Sequence, residues 1–154
     1  MVSSLAYPRL NTYGAEVTLV SDGSNWQAYD EKLGQVPECW AYLGTTHKNL
    51  INNTSTLMEI DTEVYDIGGN FNVTSYNYKF VAPVPGKYLF TSGAAFTNTV
   101  TLKRYEIIIY LNGSAVMYTQ QHTGVAENLI ISRTFTKQLS INDYIQFYAR
   151  SNSG

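Results

Sequence analysis

The chain has 154 residues, 44% of them hydrophobic, enough for one ordinary domain with a core that needs no metal or disulfide to hold it. Charged residues make up only 14%, the net charge is −2, and no block of Lys or Arg occurs, which argues against an electrostatic nucleic-acid or anionic-membrane surface. The single cysteine, Cys39, excludes an intramolecular disulfide and reads as a small buried hydrophobe rather than a nucleophile.

In chain order, "MVSSLAYPRL" lacks the apolar run of a secretion signal, and no segment is long enough to span a bilayer; the expectation is a soluble chain made in a reducing cytoplasm. "AEVTLV" (15–20) alternates Val17 and Leu19 against Glu16, Thr18 and Val20, the Asp22-Gly23 pair supplies a turn, and "WQAY" resumes the strand from Trp26. That is a hairpin. "GQVPE" (34–38) reads as a linker because Pro37 cannot donate to a central ladder, so the spacing divides a stem over 1–36 from a main domain over 37–154.

Within the main domain, alternation predicts strands over 39–43, 56–61, 74–82, 87–97, 104–111, 114–121, 127–137 and 143–149, with "NNTST" and "IGGN" as loops. In "YNYKF" one face carries Tyr76, Tyr78 and Phe80. Pro83 and Pro85 in "VAPVPG" fix φ and force a rigid strand–corner–strand, and "LNGS" (111–114) favours a type I′ hairpin turn. Sequential antiparallel strands with no helical period between them mean a β-sandwich or barrel.

"EIDTEVYDIGGNF", then "YKFVAPVPGKYLFTSGAAF", then "IIIYLNGS", then "LSINDYIQFYA" together resemble the C1q globular-head family, jelly rolls of the tumour necrosis factor superfamily, over about residues 39–154. Ile60 stands where that family often has an aromatic. The resemblance implies an all-β jelly-roll sandwich, a homotrimer and recognition through outer loops, with no catalysis. It also implies one more strand closing the inner sheet, whereas the chain stops at "ARSNSG". The slot would be filled by residues beyond Gly154, by a neighbouring subunit, or by "AEVTLV". Upstream, "TYGAEVTLVSDGSNWQAY" is similar to a hairpin of bacteriophage tail fibres and other virion appendages, in which Trp26 would cover the end of a β trunk. Both resemblances together imply a virion protein that assembles in the host cytoplasm, contacts other virion proteins and binds a host-surface glycan or protein. The alternatives are a structural decoration or cementing protein of a particle and a secreted sugar- or protein-binding module.

No G-x-S-x-G, P-loop or G-x-G-x-x-G motif is present, and His47 and His122 lie in polar loop-like surroundings without metal-ligand spacing, so the chain reads as a non-enzyme. Glu59, Asp61 and Glu63 alternate, with Asp66 beyond; Asp61, Glu63 and Asp66 are the candidate calcium ligands, hard oxygen donors of the kind some heads of the resembling family use. No other cofactor is expected. Tyr144, Gln146 and Tyr148 alternate away from Ile145 and Phe147 and are assigned to the trimer interface. Asn98, Thr99 and Lys103, with Gln121, His122 and Thr123, are assigned to the recognition loops, since loops on a rigid sandwich vary without disturbing its core. Thirteen tyrosines among Asn and Ser suit protein or sugar recognition.

Overall fold

The computed structural model describes residues 16–21, 23, 24, 26–32, 36–44, 49–73 and 77–152, and of the first two strands chiefly the backbone. Asp22, His47, the 74–76 end of a predicted strand with Tyr76, and the side chain of Trp26 lie outside the described residues. The strands are β1 (Glu16–Ser21), β2 (Trp26–Lys32), β3 (Glu38–Tyr42), β4 (Thr56–Leu57), β5 (Thr62–Ile67), β6 (Phe71–Asn72), β7 (Lys79–Val81), β8 (Gly86–Phe96), β9 (Arg104–Leu111), β10 (Ser114–His122), β11 (Leu129–Leu139) and β12 (Tyr144–Asn152). No helix occurs among the described residues.

β1 and β2 pair antiparallel as their alternation predicts, Val17 opposite Glu31, with a bulge after Thr18 and Gly23 at φ 93° in the turn. In the main domain one layer has the order β10-β9-β12-β7-β6, with β4 also on β12; facing it are two ribbons, β11-β8 and β3-β5. The chain changes layer at almost every connection after β7. β7 lies in the first layer, β8 opposite it, β9 and β10 return, β11 crosses again, and β12 comes back to insert between β9 and β7.

The alternating side chains meet between the layers. Phe71, Phe80, Ile109, Ile145 and Phe147 from the large sheet pack with Phe135 and Leu139 from β11, and Tyr88 and Phe90 of β8 join them. Phe90 stacks on Phe135 (ring centroids 5.2 Å) and meets Phe80 across the layers edge-on (5.6 Å), offset and edge-to-face arrangements that the ring quadrupoles favour. A second cluster of Phe96, Tyr105, Ile107, Leu129, Ile131 and Ala149 extends the core toward the other end.

The proline corner does what its chemistry dictates. Pro83–Pro85 carry the chain from β7 in one layer to β8 in the other, Ala82 is fully buried, and the Tyr88 hydroxyl donates to Val84 O (2.7 Å) to clamp the bend. Asn112 and Gly113 sit at φ 50° and 80°, the two left-handed positions a type I′ turn needs.

These two corners are joined by Asp143. Its carboxylate accepts from Asn112 Nδ2 (2.7 Å) and Ser140 N (2.8 Å), Asn112 Oδ1 accepts from Tyr144 N (2.9 Å), and Asp143 O accepts from Ala82 N (2.8 Å). The Asn112 hydrogen bond, followed by that of Ser140, holds the Asp143 carboxyl below its ordinary value of 3.8. A carboxyl depressed on folding stabilises the native state above its unfolded pKa, and that contribution disappears as pH falls through the folded value. Asp143→Asn is therefore expected to melt below wild type by a constant margin down to about pH 5, with the two curves converging in more acid solution. A margin unchanged across the acid range would remove Asp143 from this role.

Two predicted strands are redrawn. Of 56–61 only Thr56–Leu57 forms strand, on β12; Met58 N to Phe147 O (2.9 Å) is the last bond to that neighbour, and Ile60 N then turns back to Met58 O (2.9 Å) before the chain restarts as β5 beside β3, with a bulge at Val64. Of 74–82, the described part is strand only from Lys79, since Tyr78 at φ 21° leaves extended geometry. β12 and β3 do not pair: β12 lies between β9 and β7 with β4, and β3 pairs β5. Among the described residues no ladder joins β8 to β3-β5; β1, the third proposed filler of the slot between the strands read over 143–149 and 39–43, is paired with β2.

Candidate functional site

At the end of the sandwich away from the proline corner, the β8–β9 loop (97–103) and the β10–β11 loop (123–128) are stitched into one unit by two buried threonines. Thr99 Oγ1 donates to Glu127 O and accepts from Glu127 N (3.0 Å). Thr123, only 2% exposed, donates to Val100 O and accepts from Lys103 N (3.3 Å), while the backbones exchange Leu102 N to Thr123 O (2.8 Å) and Thr123 N to Lys103 O (3.0 Å). Tyr105 OH accepts from Val100 N (2.8 Å). Every one of these bonds is side chain to backbone or backbone to backbone, so the loops hold their shape without burying a hydrophobic core of their own.

The six loop residues assigned from sequence therefore divide. Asn98, Gln121 and His122 are exposed and Lys103 is half-buried, whereas Thr99 and Thr123 turn inward and shape the loops instead of presenting a surface. The loop read from sequence over 98–103 contains Leu102 without singling it out. Leu102 stands 77% exposed at φ 59°, flanked by exposed Val100 and Val125. The described non-glycine residues at positive φ are four asparagines, which tolerate it, and Tyr78 and Leu102, which do not. For a leucine this conformation costs about 1–2 kcal/mol, which the Leu102 N to Thr123 O bond and its neighbours hold in place. Strain around an outward-facing apolar side chain leaves no signal in composition or alternation.

Tyr144, Gln146 and Tyr148 lie on the outward face of the large sheet, and each already has a neighbour. Lys79 Nζ sits 4.6 Å from the Tyr144 ring centroid, Gln146 Nε2 donates to Asn77 O (2.9 Å), and Tyr148 packs on Tyr110 (4.2 Å between centroids). On the opposite layer Leu89 of β8 (69%) projects outward beside the Thr91–Thr134 hydroxyl pair, and Ile130 of β11 (74%) does so two cross-strand rows beyond that pair.

Asp61, Glu63 and Asp66 are not gathered around one point. Asp61 Oδ1 accepts from Gly44 N (2.7 Å) and Thr62 Oγ1 (3.0 Å), Asp66 Oδ2 accepts from Phe71 N (2.7 Å), and Glu63 is exposed. Among the described residues no three His, Cys, Asp or Glu side chains are placed to hold a metal ion. The carboxylates tie loops to the β3–β5 ribbon: Asp61 lies just before β5 and holds Gly44, and Asp66 near the end of β5 holds Phe71, so each is engaged by a different loop. Burial, reinforced by Asp66, pushes the Cys39 thiol up to about 11, the opposite of what an activated nucleophile needs.

Two further features emerge only from the tertiary structure. Between β8 and the segment around β4 a cleft of ≈ 480 Å³ opens, floored by Tyr105, Ala149 and Ser151 and walled by Ala94–Phe96 on one side and Leu50 and Met58 on the other. On the outward face of the large sheet, Glu106 is only 2% exposed, with Oε1 2.9 Å from Arg104 Nε and Oε2 2.5 Å from Arg150 Nη2. The chain matches no family model and no curated protein.

Proposed function

We propose that the chain is the head of a bacteriophage or other virion appendage, a C1q-like jelly roll that trimerises and attaches to a host surface without catalysis. The observation that carries this reading is the loop tip, a stitched scaffold that holds Leu102, Val100 and Val125 out into solvent at a backbone cost. An exposed side chain in a strained conformation is the pattern of a contact residue, and burying one leucine against a partner supplies about 1.5–3 kcal/mol, at least tenfold in affinity. The layer-changing path of the chain from β7 to β12 supports the jelly-roll part of the reading.

Fluorescently labelled protein incubated with a panel of bacterial cells tests attachment. Leu102→Asn, which places a residue tolerant of positive φ, is expected to leave melting unchanged or raised and to reduce retention on cells at least tenfold. Undiminished retention would move attachment away from the tip. Light scattering should report three chains per particle, and a monodisperse monomer at micromolar concentration would overturn the trimer. A decorating or cementing protein would instead bind purified particles and no cell of the panel.

A further inference from the structure

Three successive cross-strand rows on the outward face of the large sheet place unlike chemistries side by side. The first row runs Tyr118–Ile108–Tyr148, the second Gln120–Glu106–Arg150 and the third His122–Arg104–Asn152. Rows on one face of a strand lie about 6.5–7 Å apart, so all three span about 13–14 Å, room for one sugar ring with extended substituents.

Glu106 is the centre of this face. It is nearly as buried as the core although it points away from it; Arg150 Nε donates to Oε2, with Nη2 also 2.5 Å from that oxygen, while Arg104 Nε lies 2.9 Å from Oε1 as an ion pair without hydrogen-bond alignment. The two guanidinium groups are each about one-third exposed, and their remaining N–H groups have no other partner among the described residues. Two cations on one carboxylate leave a net charge of +1, fixed in orientation before any ligand arrives, on a chain whose overall charge is −2. Alongside stands Tyr118, 66% exposed, with the Tyr148–Tyr110 pair beyond Ile108. An open aromatic face next to an oriented arginine fork suits a ligand that is apolar on one side and anionic at one end.

We propose that this face binds an acidic sugar, its carboxylate held by Arg104 and Arg150 and its ring laid against Tyr118. A monoanion neutralises the surplus charge, whereas a phosphate dianion would overshoot it, and two arginines are too few for a nucleic-acid backbone. The proposal deepens the reading of the chain as a surface-attachment head and rests on it: Arg104 and His122 border the two stitched loops, so the sugar and the Leu102 tip would engage one receptor from adjoining surfaces.

Nuclear magnetic resonance titration of the purified chain with the methyl glycoside of N-acetylneuraminic acid, its carboxyl methyl ester and neutral methyl galactoside tests the site directly. The acid is expected to saturate with a millimolar Kd and to shift resonances of the three rows, with the ester at least tenfold weaker. Tyr118→Ala, at an exposed position, and Arg104→Gln should each weaken the acid tenfold or more, the first without change in melting. Equal binding of acid and ester, shifts confined to the loops, or no saturation by the acid would overturn the proposal. Cells stripped of acidic sugars separate the two readings: capture that persists through Leu102 refutes the sugar site and leaves attachment standing, while failure of untreated cells to capture the chain refutes attachment and leaves the titration to decide the sugar.

Discussion

Phe135→Ala is expected to lower the unfolding free energy by about 3–5 kcal/mol, a large part of the ~5–15 kcal/mol that holds an ordinary domain together. Phe135 is buried in the main cluster and is the inner member of a ring chain that runs from β11 through Phe90 to Phe80 in the facing sheet. The β8–β11 ribbon has no ladder to the rest of the domain among the described residues, so side-chain packing is what fixes it in position. Removing the ring takes away its transfer free energy and leaves a cavity between two layers joined there by no hydrogen-bond ladder. Urea unfolding should show the full loss for Phe135→Ala, a smaller one for Phe135→Leu, and less than about 0.5 kcal/mol for the exposed neighbour Thr136→Ala. Similar values for the two Phe135 variants would mean that the site collapses around the smaller side chain and that the ribbon is held by something else.

Thr123→Val is expected to cost about 1–3 kcal/mol and to lower cell attachment together with stability of the loops. Valine matches the volume of threonine but cannot make the hydroxyl's bonds, so Val100 O and Lys103 N lose a partner at a position that solvent hardly reaches. The positive φ of Leu102 depends on the same stitch, and without it the leucine is free to relax and withdraw its side chain. Thr123→Ser retains the hydroxyl and should recover most of both losses. Amide hydrogen exchange at Leu102 and Lys103 reports the stitch itself: faster exchange in Thr123→Val and near-normal exchange in Thr123→Ser is the expected pair. Protection unchanged in the valine variant would show that the backbone bonds alone hold the loops.

The two variants act at opposite levels of the structure. Phe135 belongs to the layer packing, where apolar area decides; Thr123 belongs to a loop, where a few buried polar groups either find partners or destabilise the fold in proportion to what they lack.

What the sequence determined by itself is what neighbouring residues settle among themselves. Asn112-Gly113 needed no tertiary contact to specify a tight hairpin, the fixed φ of Pro83 and Pro85 set the corner, and the strand read over 104–111 matches β9 to the residue. The all-β class follows from many such segments without a helical period. Only the tertiary structure decided which strands are neighbours, because alternation reports that a strand has an inner face and not what pairs with its edges. It placed β12 between β9 and β7, left the β8–β11 and β3–β5 ribbons without a common ladder, opened a cleft between β8 and the 49–59 segment, and tied Asp61 and Asp66 to different loops. The same holds for the candidate sites. Asn98 and His122 were legible as loop or loop-edge residues from local polarity, but Thr123 is separated from its partner Lys103 by a whole hairpin, and Arg150 from Glu106 by 44 positions. Pairings over such distances carry no local signature, and it is they that turn Thr123 inward, hold Leu102 out and bury Glu106 between two arginines on an outward face.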